Sequence, residues 1–314
     1  MNKLANTLVY EWEAWKGFLV SHLVSDYCHM TANYDDKPSD FERFLTPNIK
    51  AVLFQVNLSK QGQYPLQRKE IIQFLKRKNI VVLNEYATDI SKSALHYLLE
   101  AIGVKSLRVT QQDDDNMLVM VKSDLNWGGE VEQRLPINIR HKIYGKTPRL
   151  ITAFDQYYVC PKKTLPLRTW EDKSVVIERY VKNDSDSFFR VYRAGTAVVV
   201  VNAHSQEVIK KIGGDSRDVN FFYHVRDITS QVSDLPKPLE ALLRQFIMNT
   251  QIDYFCLDIV HGPLQGRSDL ETDEFYIVDL NVTPYSGVQP QEPRASKFLR
   301  EGIKSHLDAM RQLQ

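Results

Sequence analysis

Two short apolar segments near the end of the chain carry oxygen side chains where a buried strand normally has none. Residues 253–260 read DYFCLDIV and residues 275–284 read FYIVDLNVTP, and both are rich in the β-branched and aromatic residues that favour strands. A carboxylate buried without a partner is costly, so Asp258 and Asp279 need a cation nearby. Residues two apart on a strand face the same side, so we expect Asp279 and Asn281 to project together, with Asp258 on a neighbouring strand. Such oxygens are typical ligands of Mg²⁺, and the three residues predict a site for this cation.

A second candidate site follows an apolar segment, residues 118–121, that runs into Lys122. The loop after it contains Gly128 and Gly129. Glycine backbone can approach a ligand closely, and successive amide groups can hold phosphate oxygens. Taken alone, the segment is equally typical of a hairpin turn with an exposed lysine at the end of its strand, and this alternative stays open.

Composition excludes several classes of protein. The chain has 314 residues, of which 43% are hydrophobic and 25% charged, which is typical of a globular protein with two or three lobes. Lys and Arg total 40 against 39 Asp and Glu, so the chain as a whole lacks the charge of a nucleic-acid-binding protein. Three scattered cysteines, without CxxC spacing, argue against a disulfide framework or a zinc site. No apolar run approaches membrane-spanning length, and we expect a cytoplasmic protein with no nucleic-acid or membrane partner.

The first part of the chain alternates between strand and helix patterns, which predicts a parallel α/β lobe. The helix that begins near residue 88 has Thr88 or Asp89 available to cap it, and Gly103 to end it. Strands are predicted at residues 7–10, 51–56 and 80–83, and helices at residues 15–24, 67–78 and 88–102.

The rest of the chain is predicted to be mostly antiparallel sheet. A strand at residues 175–181 contains Glu178, and two further strands meet at a tight turn through Gly195. Helices are expected at residues 238–250 and along a C-terminal apolar stripe from Leu299 to Met310. Polar interruptions near Lys105 and residues 183–184 divide the chain into three predicted parts: 1–104, 105–183 and 184–314.

The order of these pieces resembles the ATP-grasp superfamily. The resemblance covers nearly the whole chain and implies an α+β protein with the ATP-grasp fold, in which an N-terminal α/β (pre-ATP-grasp) lobe is followed by two α+β subdomains that clamp the nucleotide. The motifs that carry it are, in order, a strand ending at Lys122 before Gly128 and Gly129, a hinge strand with Glu178, a hairpin with Arg190, and Asp258 followed by Asp-x-Asn-x-x-Pro at residues 279–284.

The resemblance also implies roles for single residues. Lys92 and Lys122 look like the two family lysines that contact phosphate and adenine, each supplying a positive charge for the triphosphate. Gly128 and Gly129 resemble the flexible loop that closes over the triphosphate. Glu178 sits where the hinge strand passes the adenine, and Asp186 or Asp184 is placed to meet the ribose.

The catalytic end is assigned in the same way. Asp258, Asp279 and Asn281 match the family's Mg²⁺ ligands, which bridge the β- and γ-phosphates. Arg190 is our choice for the arginine that stabilises the reacting group, with Arg193 and Arg217 behind it. Simple structural roles remain open for Glu178 and Arg190 as ion-pair partners, for Cys256 as a buried inert thiol, and for the histidines His204, His224 and His261.

Two departures from the family pattern bear on function. The middle metal ligand is usually glutamate, whereas here it is Asp279; inositol-phosphate kinases of this superfamily also have Asp-x-Asn. D-alanine ligases carry arginine two residues before the first metal aspartate, where this chain has Cys256. The resemblance therefore implies an ATP- and Mg²⁺-dependent ligase that joins a small-molecule or peptide carboxylate to an amine. Many members of the family are dimers, so the resemblance also allows a homodimer. The alternatives are a small-molecule kinase and a nucleotide-binding regulatory protein without turnover.

Overall fold

The structure is a computed structural model in which the N-terminal part is a parallel sheet and the remainder is antiparallel. It describes residues 6–12, 19–24, 28–151, 156–183, 185–206, 217–225, 235–262, 274–284 and 293–312, with the backbone alone at residues 217–225, 293 and 311.

The strands are β1 (Thr7–Glu11), β2 (Cys28–Thr31), β3 (Ala51–Gln55), β4 (Val81–Leu83), β5 (Leu118–Ser123), β6 (Tyr158–Pro161), β7 (Val175–Arg179), β8 (Ser187–Ala194), β9 (Ala197–His204), β10 (Arg217–Val225), β11 (Tyr254–Gly262) and β12 (Glu274–Asn281). The helices are α1 (Leu19–Leu23), α2 (Pro38–Phe41), α3 (Arg68–Arg77), α4 (Lys92–Ala101), α5 (Glu130–Gln133), α6 (Ile137–Tyr144), α7 (Leu167–Glu171), α8 (Lys237–Asn249) and α9 (Pro293–Gln312). Short 3₁₀ helices occur at Gln61–Gln63, Asn126–Gly129 and Lys162–Thr164. None of the described helices is both long and apolar enough to cross a membrane.

The N-terminal lobe is a four-stranded parallel sheet in the order β2-β1-β3-β4. The alternating pattern predicted this lobe, although the short polar strand β2 was not predicted. Helix α1 begins at Leu19, and the first residues of the helix predicted at 15–24 lie outside the described residues. The predicted cap of α4 was wrong: Ser91 is the N-cap and its Oγ accepts from the amide of Ala94, while Asp89 accepts from the amide of Ser91.

A three-stranded antiparallel sheet in the order β6-β5-β7 follows. The segment after β5 is not a hairpin turn, because β5 pairs with β6, which begins only at Tyr158. The intervening residues instead form a 3₁₀ turn and the helices α5 and α6. Val131, Leu135 and Ile143 from this insertion are buried in the core of the N-terminal lobe, so the insertion fixes the lobe to the small sheet.

The large sheet has five antiparallel strands in the order β10-β9-β8-β11-β12. One face packs against α9 and the N-terminal lobe, and the other against α4 and α8. The turn at Gly195 has a positive φ of 60° and lies against α9 so closely that an added Cβ would be 2.5 Å from the carbonyl oxygen of Gly302. The antiparallel strands, the turn and the C-terminal helix were predicted from the sequence and are confirmed.

An irregularity in β12 decides which face its acidic side chains occupy. Asp258 pairs with Asp279, but the next residue, Ile259, pairs with Ile277, so the extra residue Val278 forms a β-bulge. Ile277 and Leu280 both lie in the core formed with α8, although regular alternation would put residues three apart on opposite faces. The bulge therefore turns Asp279 out of that core and into the cleft between the two antiparallel sheets.

Candidate active site

The three residues predicted as metal ligands lie together at the paired ends of β11 and β12. Asp258 is directly opposite Asp279, and Asn281 is opposite Cys256 on the same pair of strands. Their side-chain oxygens differ in what they already bind. Asp258 accepts two hydrogen bonds from Arg190, Nε to Oδ1 at 2.6 Å and Nη2 to Oδ2 at 2.7 Å. Asn281 Oδ1 accepts from the amide and the hydroxyl of Thr283, at 2.7 and 2.9 Å.

Asp279 offers the oxygen that is most available for a cation. Its Oδ1 is buried, accepts no hydrogen bond from the described residues, and lies 3.6 Å from Lys92 Nζ. Among the described residues, no group of three His, Cys, Asp or Glu is arranged to hold a metal; the third oxygen here comes from an asparagine. Two carboxylates and an amide oxygen form a donor set that suits Mg²⁺, which binds through few protein oxygens and completes its shell with water and phosphate.

Helix α4 brings two buried side chains to this cleft. Lys92 opens the helix and His96 follows one turn later, so both project from the same side. Lys92 is 5% exposed and its Nζ donates to the carbonyl of Leu125 at 3.3 Å. Burial alone would lower the pKa of Lys92, but Asp279, Tyr157, Glu178 and Asp124 together outweigh that effect and raise the pKa. Lys92 therefore stays protonated beside the candidate metal ligands.

Lys122 belongs to a buried chain of polar groups. Its Nζ lies 2.7 Å from Glu178 Oε2 and donates to the carbonyl of Val278 at 2.9 Å. That carbonyl belongs to the bulged residue, which has no residue opposite it on β11. The other oxygen of Glu178 lies 2.9 Å from Nε2 of His96, whose side chain is fully buried. The two antiparallel sheets are therefore linked through Lys122 at the point where Asp279 emerges.

The chain of polar groups continues from His96 to Ser106. Ser106 Oγ accepts from the amide of Arg108 and lies 3.1 Å from His96 Nδ1. On the other side of the ring, Nε2 donates to Glu178, because an ionised carboxylate can only accept. Burial alone would raise the pKa of Glu178, but the charge of Lys122 and the hydrogen bond from His96 lower it to about 2. Glu178 is therefore a fixed anion that orients Lys122.

His96 was not predicted from the sequence. The signal was present in the spacing, because a polar residue one turn after Lys92 interrupts the apolar stripe of α4. Tyr157 was missed as well. Burial raises its pKa, and the charges of Lys92 and Asp279 act on it in opposite directions, so its phenol is also part of the surroundings of this site.

Arg190 is the predicted catalytic arginine that lies at the candidate metal site. It faces Asp258 across β8 and β11, and their bidentate pair leaves the arginine side chain 14% exposed. Burial lowers the pKa of Arg190, but the adjacent Asp258 more than offsets this and raises it. Arg193 lies on the opposite face of β8, donates to the carbonyls of Gly195 and Ile247, and lies over the ring of Phe255. The side chain of Arg217 is outside the described residues.

Gly128 and Gly129 have positive φ values of 65° and 86°, so both positions favour glycine. The carbonyl of Gly128 accepts from the amide of Ile151, and Asn126, at the start of this turn, donates to the carbonyl of Leu280 at 3.4 Å. The turn is thereby joined to β12, beside Asn281. Its contact with phosphate remains a prediction.

Asp186 lies in the turn before β8, where its amide donates to Asn183 and its carbonyl accepts from Ser205. Its contact with the ribose remains a prediction, and Asp184 is outside the described residues. His204 and His261 both contact Ser185 rather than the site, and the side chain of His224 is not described. Cys256 is buried as expected, and burial raises the pKa of its thiol.

Comparison with known proteins gives no match by sequence and several by structure. No protein-family profile and no curated protein matches the chain. D-alanyl-alanine synthetase A from Vibrio cholerae O1 biovar eltor is similar over 97% of this chain and 99% of its own, at 10% identity and a TM-score of 0.50. The ATP-grasp ligase PsnB, solved with a minimal precursor, is similar over 96% of this chain and 98% of its own, at 11% identity and a TM-score of 0.52.

A second structure of PsnB, with the precursor peptide PsnA2 and AMPPNP, is similar over 98% of this chain and 99% of its own, at 12% identity and a TM-score of 0.50. These identities are low, so the likeness concerns the fold. It extends over nearly the whole length of the chain and of each of these proteins.

Proposed function

Since the chain has the ATP-grasp fold, we propose that it is an ATP-dependent ligase that joins a carboxylate to an amine. The observation that carries this proposal is the cleft between the two antiparallel sheets, where two buried lysines converge on a strand end with two aspartates and an asparagine. Lys92 and Lys122 reach Asp279 and the carbonyl of Val278, which are consecutive positions of β12. Such a concentration of charge suits a polyanion with a bound cation.

The reaction that fits this site has two steps. A carboxylate oxygen attacks the γ-phosphorus of ATP, the bond to the bridging oxygen breaks, and an acyl phosphate and ADP form. The amine nitrogen then attacks the acyl carbon, phosphate leaves, and the nitrogen loses a proton, which gives an amide. Both steps depend mainly on positioning and on neutralising charge, because phosphoryl transfer asks for little covalent chemistry from the protein.

The side chains of the cleft have separate tasks in this scheme. Lys92 and Lys122 orient the phosphates, and Glu178 with His96 keeps Lys122 in place. Arg190 is positioned by Asp258 and places a guanidinium where negative charge develops on the transferring group. The glycines of the Asn126–Gly129 turn are proposed to contact the triphosphate through their amides.

Asp258, Asp279 and Asn281 are proposed to hold Mg²⁺, with Asp279 Oδ1 as its most available oxygen. When bound, the ion neutralises charge on the β- and γ-phosphates. Asp258 has both oxygens engaged by Arg190, so the same carboxylate would position the arginine and contribute to the cation site. The chain's own residues thereby couple the guanidinium to the metal ligands.

The test is ATP turnover by the full chain and by Asp279→Ala. The wild-type protein should release ADP and inorganic phosphate only when a carboxylate and an amine are both supplied, from a panel of amino acids and peptides. Asp279→Ala should abolish this turnover. The variant should still fold, as judged by circular dichroism, although its unfolding temperature should fall because the buried Lys92 loses its counter-charge. An active Asp279→Ala variant would contradict the metal assignment.

The alternatives correspond to different products. A stable phosphorylated compound formed from ATP and one organic substrate would indicate the kinase that the Asp-x-Asn spacing allows. Binding of ATP without ADP formation from any pair would indicate the regulatory protein. Arg190→Ala separates the roles further: turnover should fall far more than nucleotide affinity, and equal losses would count against an action on the transferring group.

A further inference from the structure

A row of buried polar side chains continues beyond β3 of the N-terminal lobe. Gln55 ends the strand, and Gln55, Asn57, Ser59 and Gln61 are each no more than 3% exposed. The residues between the first three, Val56 and Leu58, lie in the core of the N-terminal lobe. Positions 51 and 53, which precede Gln55 on its own face of β3, are apolar core residues. The polar residues thus replace apolar ones along a buried path, which ordinary packing does not require.

This row connects directly to the cleft. Asn57 Oδ1 accepts from the hydroxyl of Thr283 at 2.7 Å, and Thr283 also bonds to the candidate metal ligand Asn281. Ser59 Oγ accepts from the amide of Asn126, and the amide of Ser59 donates to Glu132 Oε1, both at 3.0 Å. Residues from three separate parts of the chain therefore meet here, next to the proposed site of phosphoryl transfer.

Several buried atoms of this network have no hydrogen-bond partner among the residues that the structure describes. They are both amide atoms of Gln55, both amide atoms of Gln61, Asn126 Oδ1 and Glu132 Oε2. Buried amide and carboxyl groups are nearly always hydrogen-bonded, because leaving them without a partner destabilises the fold. Their occurrence in the segment from Gln55 to Gln61 and on the residues that Ser59 binds, Asn126 and Glu132, indicates groups that are reserved for a ligand.

The chemistry of these groups restricts the ligand. Glutamine and asparagine side chains donate and accept at once, so they match a group that does the same, such as an amide. Glu132 is 1% exposed and is the acid of the network; burial raises its pKa, and its Oε1 is taken by Ser59 and Tyr144. The remaining oxygen of Glu132 suits an amine or ammonium group. The network contains no described lysine or arginine, and nearby Lys60 lies over the ring of Tyr144.

We propose that Gln55, Gln61, Asn126 and Glu132 form the subsite for the amine substrate, and that this substrate carries a carboxamide or peptide group beside its amino group. A free amino acid would place its carboxylate among amide groups and beside the acid Glu132. The network has no described cation that could neutralise the charge of that carboxylate. An α-amino amide presents an amine for Glu132 and an amide for the glutamines. This inference rests on the proposed ligase function and specifies the class of its acceptor.

The test uses the full chain and four small probes: glycinamide and alaninamide, and the free amino acids glycine and alanine. Binding is measured by ligand-observed NMR, with and without AMPPNP and Mg²⁺. The amides should bind at least about ten times more tightly than the amino acids, which corresponds to one lost charge-matched contact. Equal or tighter binding of the free amino acids, or no binding of the amides in either condition, would overturn the inference.

Two variants connect the binding to the row. Gln55→Leu and Gln61→Leu should each weaken amide binding by about ten-fold or more. Gln63→Leu is the matched control, because Gln63 is an exposed glutamine in the same 3₁₀ turn as Gln61, and it should bind the amides like the wild type. A loss in Gln63→Leu equal to that in the buried variants would show that the effect is not local to the row.

Thermal unfolding gives a readout that a structural role would not produce. Replacing an unpaired buried amide with leucine removes a destabilising group, so Gln55→Leu and Gln61→Leu should raise the unfolding temperature of the ligand-free protein by roughly 2 °C. A lower unfolding temperature in both would show that the glutamines stabilise the fold, and would overturn the inference. The affinity for AMPPNP is measured separately. If AMPPNP binds and the amides do not, the inference on the amine substrate is wrong but the proposed ligase function stands. If AMPPNP does not bind, the proposed function itself is contradicted.

Discussion

Replacing Glu178 with glutamine is expected to remove a pH-dependent contribution to stability. The Glu178 side chain is 3% exposed, with Lys122 at 2.7 Å and His96 at 2.9 Å, and its pKa is lowered from 4.5 to about 2. Because the folded pKa is below the unfolded one, the ionised carboxylate contributes stability that is fully present above about pH 4.5 and is lost as the pH falls towards 2. Relative to neutral pH, the loss is about 1 kcal/mol at pH 4 and about 2 kcal/mol at pH 3.

The assay is urea unfolding of the wild type and of Glu178→Gln at constant ionic strength between about pH 7 and pH 3. At neutral pH the variant should be less stable by about 3 kcal/mol or more, since Lys122 is left buried without its counter-charge. The difference in the free energy of unfolding between the two proteins should then shrink by about 2 kcal/mol as the pH falls from 5 to 3.

Glu171→Gln is the control, because Glu171 is exposed and its carboxylate meets water in both the folded and the unfolded state. Its unfolding curve should shift little at any pH. The reasoning would be refuted if the difference in the free energy of unfolding between the wild type and Glu178→Gln stayed constant between pH 5 and pH 3. Such a result would mean that Lys122 and His96 do not hold Glu178 as an anion.

Three further substitutions test other parts of the structure. In steady-state kinetics, His96→Leu should raise the KM for ATP by about ten-fold with a smaller change in kcat, because Lys122 loses its orientation. His96→Gln keeps a donor near the position of Nε2 and should therefore restore most of the affinity for ATP. Gly302→Ala should lower the free energy of unfolding by about 1–3 kcal/mol in urea titrations, because the added Cβ would lie 2.3 Å from the Cβ of Ala197. Gly145→Ala is the control: its added Cβ would have no atom within 4 Å, so the free energy of unfolding should fall only by the backbone strain, about 1 kcal/mol. Asn84→Ala should cost about 3 kcal/mol in the same titrations, since the buried Asn84 side chain binds the backbone of Asp253 and Tyr254; a loss below about 0.5 kcal/mol would contradict that role.

The fold could be predicted where each residue pattern has one structural meaning. Alternating strands and helices in the first third predicted the parallel lobe, and the Gly195 turn between two β-rich runs predicted the hairpin of the large sheet. The insertion between β5 and β6 was not predicted, because its short helices lack a long periodic pattern and take their apolar contacts from the N-terminal lobe. The same reason applies to β2, which is four residues long and partly polar.

The candidate site was only partly predictable. The sequence was sufficient to group Asp258, Asp279 and Asn281. Acids in apolar strands need a nearby cation, which links Asp258 to Asp279, and side chains two apart on a strand share a face, which links Asp279 to Asn281. Lys92 and Lys122 came from the order of the motifs. The roles of all these residues remain predictions, as do the two boundaries between the three predicted parts of the chain.

The sequence by itself therefore determined the fold class and the residues that share a strand face, because periodicity is a local property of the chain. Only the tertiary structure decided how those residues are connected. Arg190 engages Asp258, His96 orients Glu178, and the bulge at Val278 turns Asp279 into the cleft while exposing a carbonyl to Lys122. Each of these contacts joins residues far apart in the chain, and their geometry depends on strand register and helix packing, which local spacing does not encode.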